Sequence, residues 1–136
     1  MVALAILLSG LNVFAQEQET LFKTERRILF DGDSVKQKFV LPIDQPVNRL
    51  SFDITSSIQG GEITIEIYDP AGIRQGRYSV GTQIATDPSK NGVPKEIVNG
   101  TIQKYIDNPI NGSWQVVFLP AKTNGTINMG ITQTSN

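Results

Sequence analysis

The sequence predicts an all-β protein, an antiparallel two-sheet β-sandwich with jelly-roll-like topology and about eight strands. The clearest segment is 62–68, EITIEIY, in which the isoleucines fall on one face and Glu62, Thr64 and Glu66 on the other. No segment shows the period of an amphipathic helix, and turn residues recur at short intervals along the chain. Alternating segments cut by frequent turns are typical of a sandwich.

The single tryptophan begins a second alternating segment, 114–119. Trp114, Val116 and Phe118 fall on one face of this predicted strand, which indicates a half-buried position. We therefore expect Trp114 to be the main anchor of the core rather than an exposed binding platform.

The remaining strands are predicted at 21–30, 35–41, 49–55, 73–80, 126–131 and 95–106, the last interrupted at Asn99-Gly100. Turns are expected at 31–34, 60–61 and 68–72, and Asn124-Gly125 is expected to reverse the chain. Pro42 and Pro120 are expected to end strands, because proline has no N–H to donate to a sheet. Residues 81–94 are polar and predict a long loop.

Residues 1–15 are uncharged and mostly apolar, and they predict a signal peptide cleaved after Ala15. They are too few for a spanning helix, which needs about 20 apolar residues. Residues 16–136 would then form a single β-sandwich domain with no membrane span. We expect this domain to be secreted or held in the periplasm or at the cell surface, in a bacterium.

The composition argues against several classes of function. The 136 residues include no Cys and no His, and the formal net charge is −1. Without these residues, catalysis would depend on carboxylates or lysines, and no carboxylate pair stands in an apolar segment, so the protein is predicted not to be an enzyme. A charge near zero argues against nucleic acid as a partner.

Several polar and aromatic residues beside the predicted turns and loops could bind a ligand. Tyrosine rings and amide groups suit sugars, and a glycan site could use Tyr68, Tyr78, Tyr105, Gln83, Asn91 and Asn108. The alternative is that the tyrosine rings cover the edges of the sandwich with their hydroxyls in water. The arginines Arg74 and Arg77 face the acidic stripe of 62–66 along the hairpin and predict cross-strand ion pairs.

Asp31 and Asp33 flank Gly32 and are the candidates for a metal site. Closely spaced carboxylates on a glycine-containing turn suit Ca²⁺, which binds six to eight oxygens. An ordinary acidic turn is the alternative, and no other cofactor is expected.

Two motifs resemble those of extracellular β-sandwich domains that accompany proteases. An aliphatic strand ends in YDPAG at 68–72, NPINGSWQV follows at 108–116, and a glycine-led strand begins with GTI at 125–127. Over about residues 49–131 this combination resembles the pre-peptidase C-terminal domains and, more loosely, the P domains of subtilisin-type proteases. The resemblance implies a jelly-roll-like, non-catalytic accessory or interaction module. The metal-binding residues of those families are not recognisable here, so none is assigned.

The sequence thus predicts a binding or adhesion module of the cell envelope or exterior, which recognises protein partners through loop ends or an open sheet edge. A carbohydrate-binding accessory domain and a structural subunit of a secreted assembly are the alternatives. The oligomeric state stays open.

Overall fold

The structure is a computed structural model that describes residues 19–81 and 98–135. These residues form six antiparallel strands: β1 (Glu19–Asp33), β2 (Gln37–Ile43), β3 (Arg49–Tyr68), β4 (Arg74–Gly81), β5 (Val98–Asp107) and β6 (Gly112–Ser135). The all-β, antiparallel prediction is confirmed, whereas six strands take the place of the predicted eight within this part of the chain. It contains no helix long and apolar enough to cross a membrane. The predicted signal peptide and residues 82–94 lie outside it.

The long strands β3 and β6 run side by side and organise the sheet. Their pairing extends from Arg49 opposite Thr134 to Tyr68 opposite Gln115. The other edge of β3 pairs with β5 along 49–58 and with β4 along 62–68. The other edge of β6 pairs with β2 along 112–118 and with β1 along 123–135. We call β5–β3–β6–β1 the first half of the sheet and β4–β3–β6–β2 the second half.

The two halves meet at a corner where the pairing of β3 with β6 shifts, around Gly60 and Gly61. Gly61 has a φ of 73°, and a Cβ there would clash with the carbonyl oxygen of Lys122. A bulge of this kind moves the buried side chains from even to odd positions. In β3 the buried apolar residues are Leu50, Phe52, Ile54 and Ile58 before the corner and Ile63, Ile65 and Ile67 after it.

The predicted turns at 60–61 and Asn124-Gly125 are wrong, because both pairs lie inside long strands. Gly60 pairs with Asn124, so Gly60-Gly61 and Asn124-Gly125 each relax one strand of the corner instead of closing a hairpin. Asn99-Gly100 likewise does not interrupt β5.

The two prolines that were expected to end strands also lie within strands. Pro42 belongs to β2, which among the described strands pairs with β6 alone and needs no N–H for pairing on its other edge. Along β6, the pairing with β2 ends at Phe118 and the pairing with β1 begins at Thr123. Pro120 lies between these two positions. One edge of the strand needs no hydrogen bond at that point, which is where proline is tolerated.

The predicted turn at 68–72 is confirmed and connects β3 to β4. Gly72 has a φ of 81° and donates its N–H to the carbonyl of Asp69 at 3.0 Å. The Asp69 Oδ1 accepts the N–H groups of Ala71 and Ile73, both at 2.9 Å. The Asp69 side chain therefore holds the turn by accepting hydrogen bonds from two backbone N–H groups.

The buried apolar residues of both halves belong to one core cluster. Arg26 of β1 lies over the ring of Phe39 of β2, at 5.4 Å from its centroid, although β1 and β2 pair with opposite ends of β6. The two ends of β6 therefore bring their partner strands together at this contact. Trp114 is 2% exposed and donates its Nε1–H to the carbonyl of Ile110 at 2.9 Å. The prediction that Trp114 belongs to the core is confirmed.

Candidate functional site

A concave surface of about 550 Å³ lies on the solvent face of the first half. We call it the polar groove. Its lining consists of Lys23, Glu25, Arg26 and Arg27 on β1, Asn128, Met129, Gly130 and Thr132 on β6, and Asp53 and Thr55 on β3.

The strand register explains the depth of the polar groove. Glu25 and Asp53 both lie opposite Gly130, one on each side of it. Because glycine has no side chain, the floor is lowest in this row, and a Cβ at Gly130 would meet no atom nearer than 3.9 Å. In the next row, Arg27 and Thr55 flank Asn128 in the same way. Long side chains of β1 therefore form a wall above a floor of small ones.

The polar groove carries charges of both signs. The Lys23 Nζ lies 3.2 Å from the Glu25 Oε1, and both side chains are mostly exposed. An exposed pair of this kind contributes little to stability and can rearrange around a ligand. Neither Arg27 nor Asp53 forms an ion pair with a residue in the described part of the chain. The groove can therefore bind a polar, extended ligand that carries charges of both signs.

β1 is an edge strand and forms one wall of the polar groove. It pairs with β6 and with no other described strand. Its free edge therefore presents main-chain N–H and C=O groups along 15 residues. Phe22 and Leu29, which are 54% and 66% exposed, stand on either side of its charged centre.

The predicted tyrosines do not come together. Tyr105 is 54% exposed on β5, in the first half, where the Arg49 guanidinium lies 5.3 Å from its ring centroid. Tyr78 is half-buried on β4 and packs against the core. Tyr68 is half-buried at the end of β3 and lines a separate pocket with Gln115.

Of the three predicted amide residues, Asn108 is described, and it does not line the polar groove. Asn108 has a φ of 51° and donates its N–H to the carbonyl of Asn48 at 2.7 Å, so its backbone shapes the approach to β6. Gln83 and Asn91 lie outside the described residues.

Asp31 and Asp33 lie at the end of β1, opposite Asn124 and Thr123, so the turn predicted at 31–34 is wrong. Gly32, with a φ of 70°, marks an irregularity in the pairing that lets the Asp31 N–H donate to the Asp33 Oδ2 at 3.3 Å. Within residues 19–81 and 98–135, no three acidic, His or Cys side chains are grouped to hold a metal ion. The calcium site stays a prediction.

The polar groove was missed at the sequence level because its residues come from three distant segments. Each segment shows only an ordinary alternation of polar residues, at 23–27, 53–55 and 128–132. What joins them is the pairing of β1 and β3 with β6, and no local pattern encodes that pairing.

No protein-family model and no curated protein matches the chain. Among solved structures, the chain aligns over 89% of its length with 93% of a chain from pili described as Bacillus endospore appendages, at 12% identity and a TM-score of 0.46. It aligns over 81% of its length with 72% of a carbohydrate-binding module specific for non-crystalline cellulose, at 7% identity and a TM-score of 0.46. It also aligns over 93% of its length with 30% of the Clostridium perfringens CspB protease, at 11% identity and a TM-score of 0.45. Likenesses this distant carry no functional argument, and the resemblance to the pre-peptidase C-terminal domains stays a prediction.

Proposed function

We propose that the protein is a non-catalytic, exported binding module that recognises an extended segment of a protein partner at the free edge of β1. The observation that supports this role is a 15-residue edge strand with the polar groove beside it. A partner segment that pairs with β1 adds a strand to the first half. Main-chain hydrogen bonds then supply affinity, and alternate side chains supply specificity.

The order of charges on β1 specifies the partner. Lys23, Glu25 and Arg27 alternate in sign along the solvent face of the strand. Side chains directly opposite each other in a sheet favour opposite charges and disfavour like charges. The matching segment therefore carries an acidic, a basic and an acidic residue at alternate positions.

The same proposal includes a two-layer, jelly-roll-like sandwich and a place at the cell envelope or outside the cell. The contact of Arg26 with Phe39 and the shared core support the two layers. The absence of His and Cys from the sequence supports a role without catalysis.

Peptide binding to the full chain tests the proposal. A fluorescent peptide with the acidic-basic-acidic order in a β-favouring background is expected to bind, and the charge-reversed peptide is expected to bind less tightly. The Glu25→Lys variant places a like charge opposite the basic residue, so it should weaken the first peptide about tenfold and favour an all-acidic one. Fluorescence anisotropy measures both affinities.

The control is Glu62→Lys, which makes the same change of charge on an exposed residue of β3 outside the polar groove. Equal binding of the two peptides, or equal losses in the two variants, would contradict the proposal. A carbohydrate-binding role is a second candidate, and the pocket at Tyr68 supports it.

A further inference from the structure

A second concave site, of about 230 Å³, opens on the solvent face of the second half. We call it the lysine pocket. Lys36 and Lys38 line one side of it, Val117 and Gln115 of β6 line the floor, and Glu66 and Tyr68 of β3 line the other side. Residues of the turn that follows β3 also contribute to the lining.

The register fixes the width of the lysine pocket. Val117 lies between Lys38 and Glu66 in one row, and it is 4% exposed beneath them. Gln115 lies between Val40 and Tyr68 in the next row. The pocket is therefore two strand spacings wide, about 10 Å, and its floor changes from apolar to amide along its length.

The Glu66 carboxylate, the first of the two acidic groups that line the lysine pocket, is already paired. Its Oε2 accepts from the Arg74 Nη1 at 3.1 Å and lies 3.8 Å from the Arg77 Nε. These cross-strand pairs, which the sequence predicts, are confirmed. The Glu66 side chain is 11% exposed, whereas those of Arg74 and Arg77 are 52% and 58% exposed. Two arginines offset one carboxylate here.

The Asp69 carboxylate, the second acidic group, is also used. Its Oδ1 holds the turn through two backbone N–H groups, and its Oδ2 accepts from the Gln75 Nε2 at 3.0 Å. The residue is 9% exposed. Little acceptor capacity remains for the lysines across the pocket.

Lys36 and Lys38 therefore carry the uncompensated charge of the pocket. Neither forms an ion pair with any residue in the described part of the chain. The full chain has a formal net charge of −1, so this positive site is a local feature. Two lysines that line one side of a concave floor attract a ligand that carries a carboxylate.

We propose that the lysine pocket binds a hexuronate residue of an acidic polysaccharide. The lysines bind the carboxylate, the Gln115 amide hydrogen-bonds the sugar hydroxyls, and the Tyr68 ring and hydroxyl bind the edge of the pyranose. A free peptide carboxylate would use the lysines and leave the amide and the phenol without partners. This site lies apart from β1 and does not depend on the proposed role of that edge.

Calorimetric titration of the full chain with trigalacturonate tests the assignment, with neutral galactotriose for comparison. The uronate is expected to bind, and the neutral sugar is expected to bind at least tenfold more weakly. Lys36→Met and Lys38→Met should each reduce affinity roughly five- to tenfold, because each removes one ionic contact and keeps the aliphatic stem. Tyr68→Phe should give a smaller loss, since it removes only a hydroxyl.

Lys104→Met is the matched control, because it removes the same charge from β5 in the first half. It should leave uronate affinity within about twofold. An equal loss in Lys104→Met would show that the attraction is non-specific and would overturn the proposal. Equal binding of the neutral sugar would also overturn the proposal. The same holds if uronate does not bind while a peptide that ends in a free carboxylate binds in a Lys38-dependent way.

Discussion

The two halves of the sheet share β3 and β6, yet they present different chemistry to solvent. In the first half these strands contribute small residues to the floor of the polar groove, such as Asn128, Gly130 and Asp53. In the second half the same two strands contribute Gln115 and Val117 to the floor of the lysine pocket. A shift at the corner exchanges the alternate positions that face outward. One pair of strands can therefore carry two independent surfaces and still bury a single core.

The largest expected effect comes from filling the corner. In Gly61→Ala, the new Cβ would collide with backbone carbonyls at Ala121 and Lys122, and the φ of 73° is unfavourable for any L residue. We expect the free energy of unfolding to fall by about 4 kcal/mol, or folding to fail. Chemical denaturation monitored by tryptophan fluorescence measures this change.

Gly72→Ala is the matched control for that substitution. Gly72 has a similar φ of 81°, but no atom lies within 4 Å of a Cβ built there. The expected loss is about 1 kcal/mol, which corresponds to the backbone conformation alone. Similar losses in the two variants would show that the corner is not closely packed.

Two buried hydroxyl groups give the next comparison, and their removal is expected to have opposite effects. Thr123, at the corner, donates to the carbonyl of Glu62 at 2.6 Å and accepts the N–H of Ala121 at 3.1 Å. Thr123→Val leaves both backbone groups without this partner and should cost about 2 kcal/mol. Ser56, in the first half, is also fully buried, and its Oγ has no hydrogen-bond partner among the residues described.

Ser56→Ala should therefore leave stability unchanged or raise it by up to about 1 kcal/mol, since an unpaired polar group leaves the core. Thermal and denaturant unfolding of the two variants measure both signs. A clear loss of stability in Ser56→Ala would mean that this hydroxyl has a partner in the folded chain.

The smallest effects concern one ion pair in each half. In the first half Asp107 accepts from the Arg49 Nε at 2.8 Å, but the two side chains are 65% and 37% exposed, so Asp107→Asn should cost less than about 0.5 kcal/mol. In the second half Glu66 is far less exposed, and Glu66→Gln should cost about 1 kcal/mol. Equal costs in 0.1 M salt would show that the difference in burial has no energetic consequence.

The sequence predicts the buried faces of this protein well, because alternation is a local property. The inward positions of Trp114, Val116 and Phe118 follow directly from it, as do those of Ile63 and Ile65. The structural role of Gly60-Gly61 and Asn124-Gly125 is ambiguous in the sequence, since the same residue types occur in hairpin turns and in bulges. Only the pairing partner decides between the two, and for Gly60 that partner is Asn124.

The candidate sites are less accessible to sequence reasoning than the core. Tyr68 and the ion pairs of Glu66 were found because they lie along one hairpin. Lys38 and Gln115 were not associated with them, because β2 and β6 reach that surface only through long-range pairing.

The continuity of β3 and β6 through both halves has a consequence for how the protein unfolds. The central strands β3 and β6 belong to both halves, so unfolding of one half removes strand partners from the strands that stabilise the other. Partial melting is therefore disfavoured, and fluorescence of Trp114 in the second half should report the same transition as probes in the first. The pairs that join β3 to β6, from Tyr68 with Gln115 to Arg49 with Thr134, are all distant in sequence. Folding must close these long loops to form the centre of the sheet, and such topologies fold slowly.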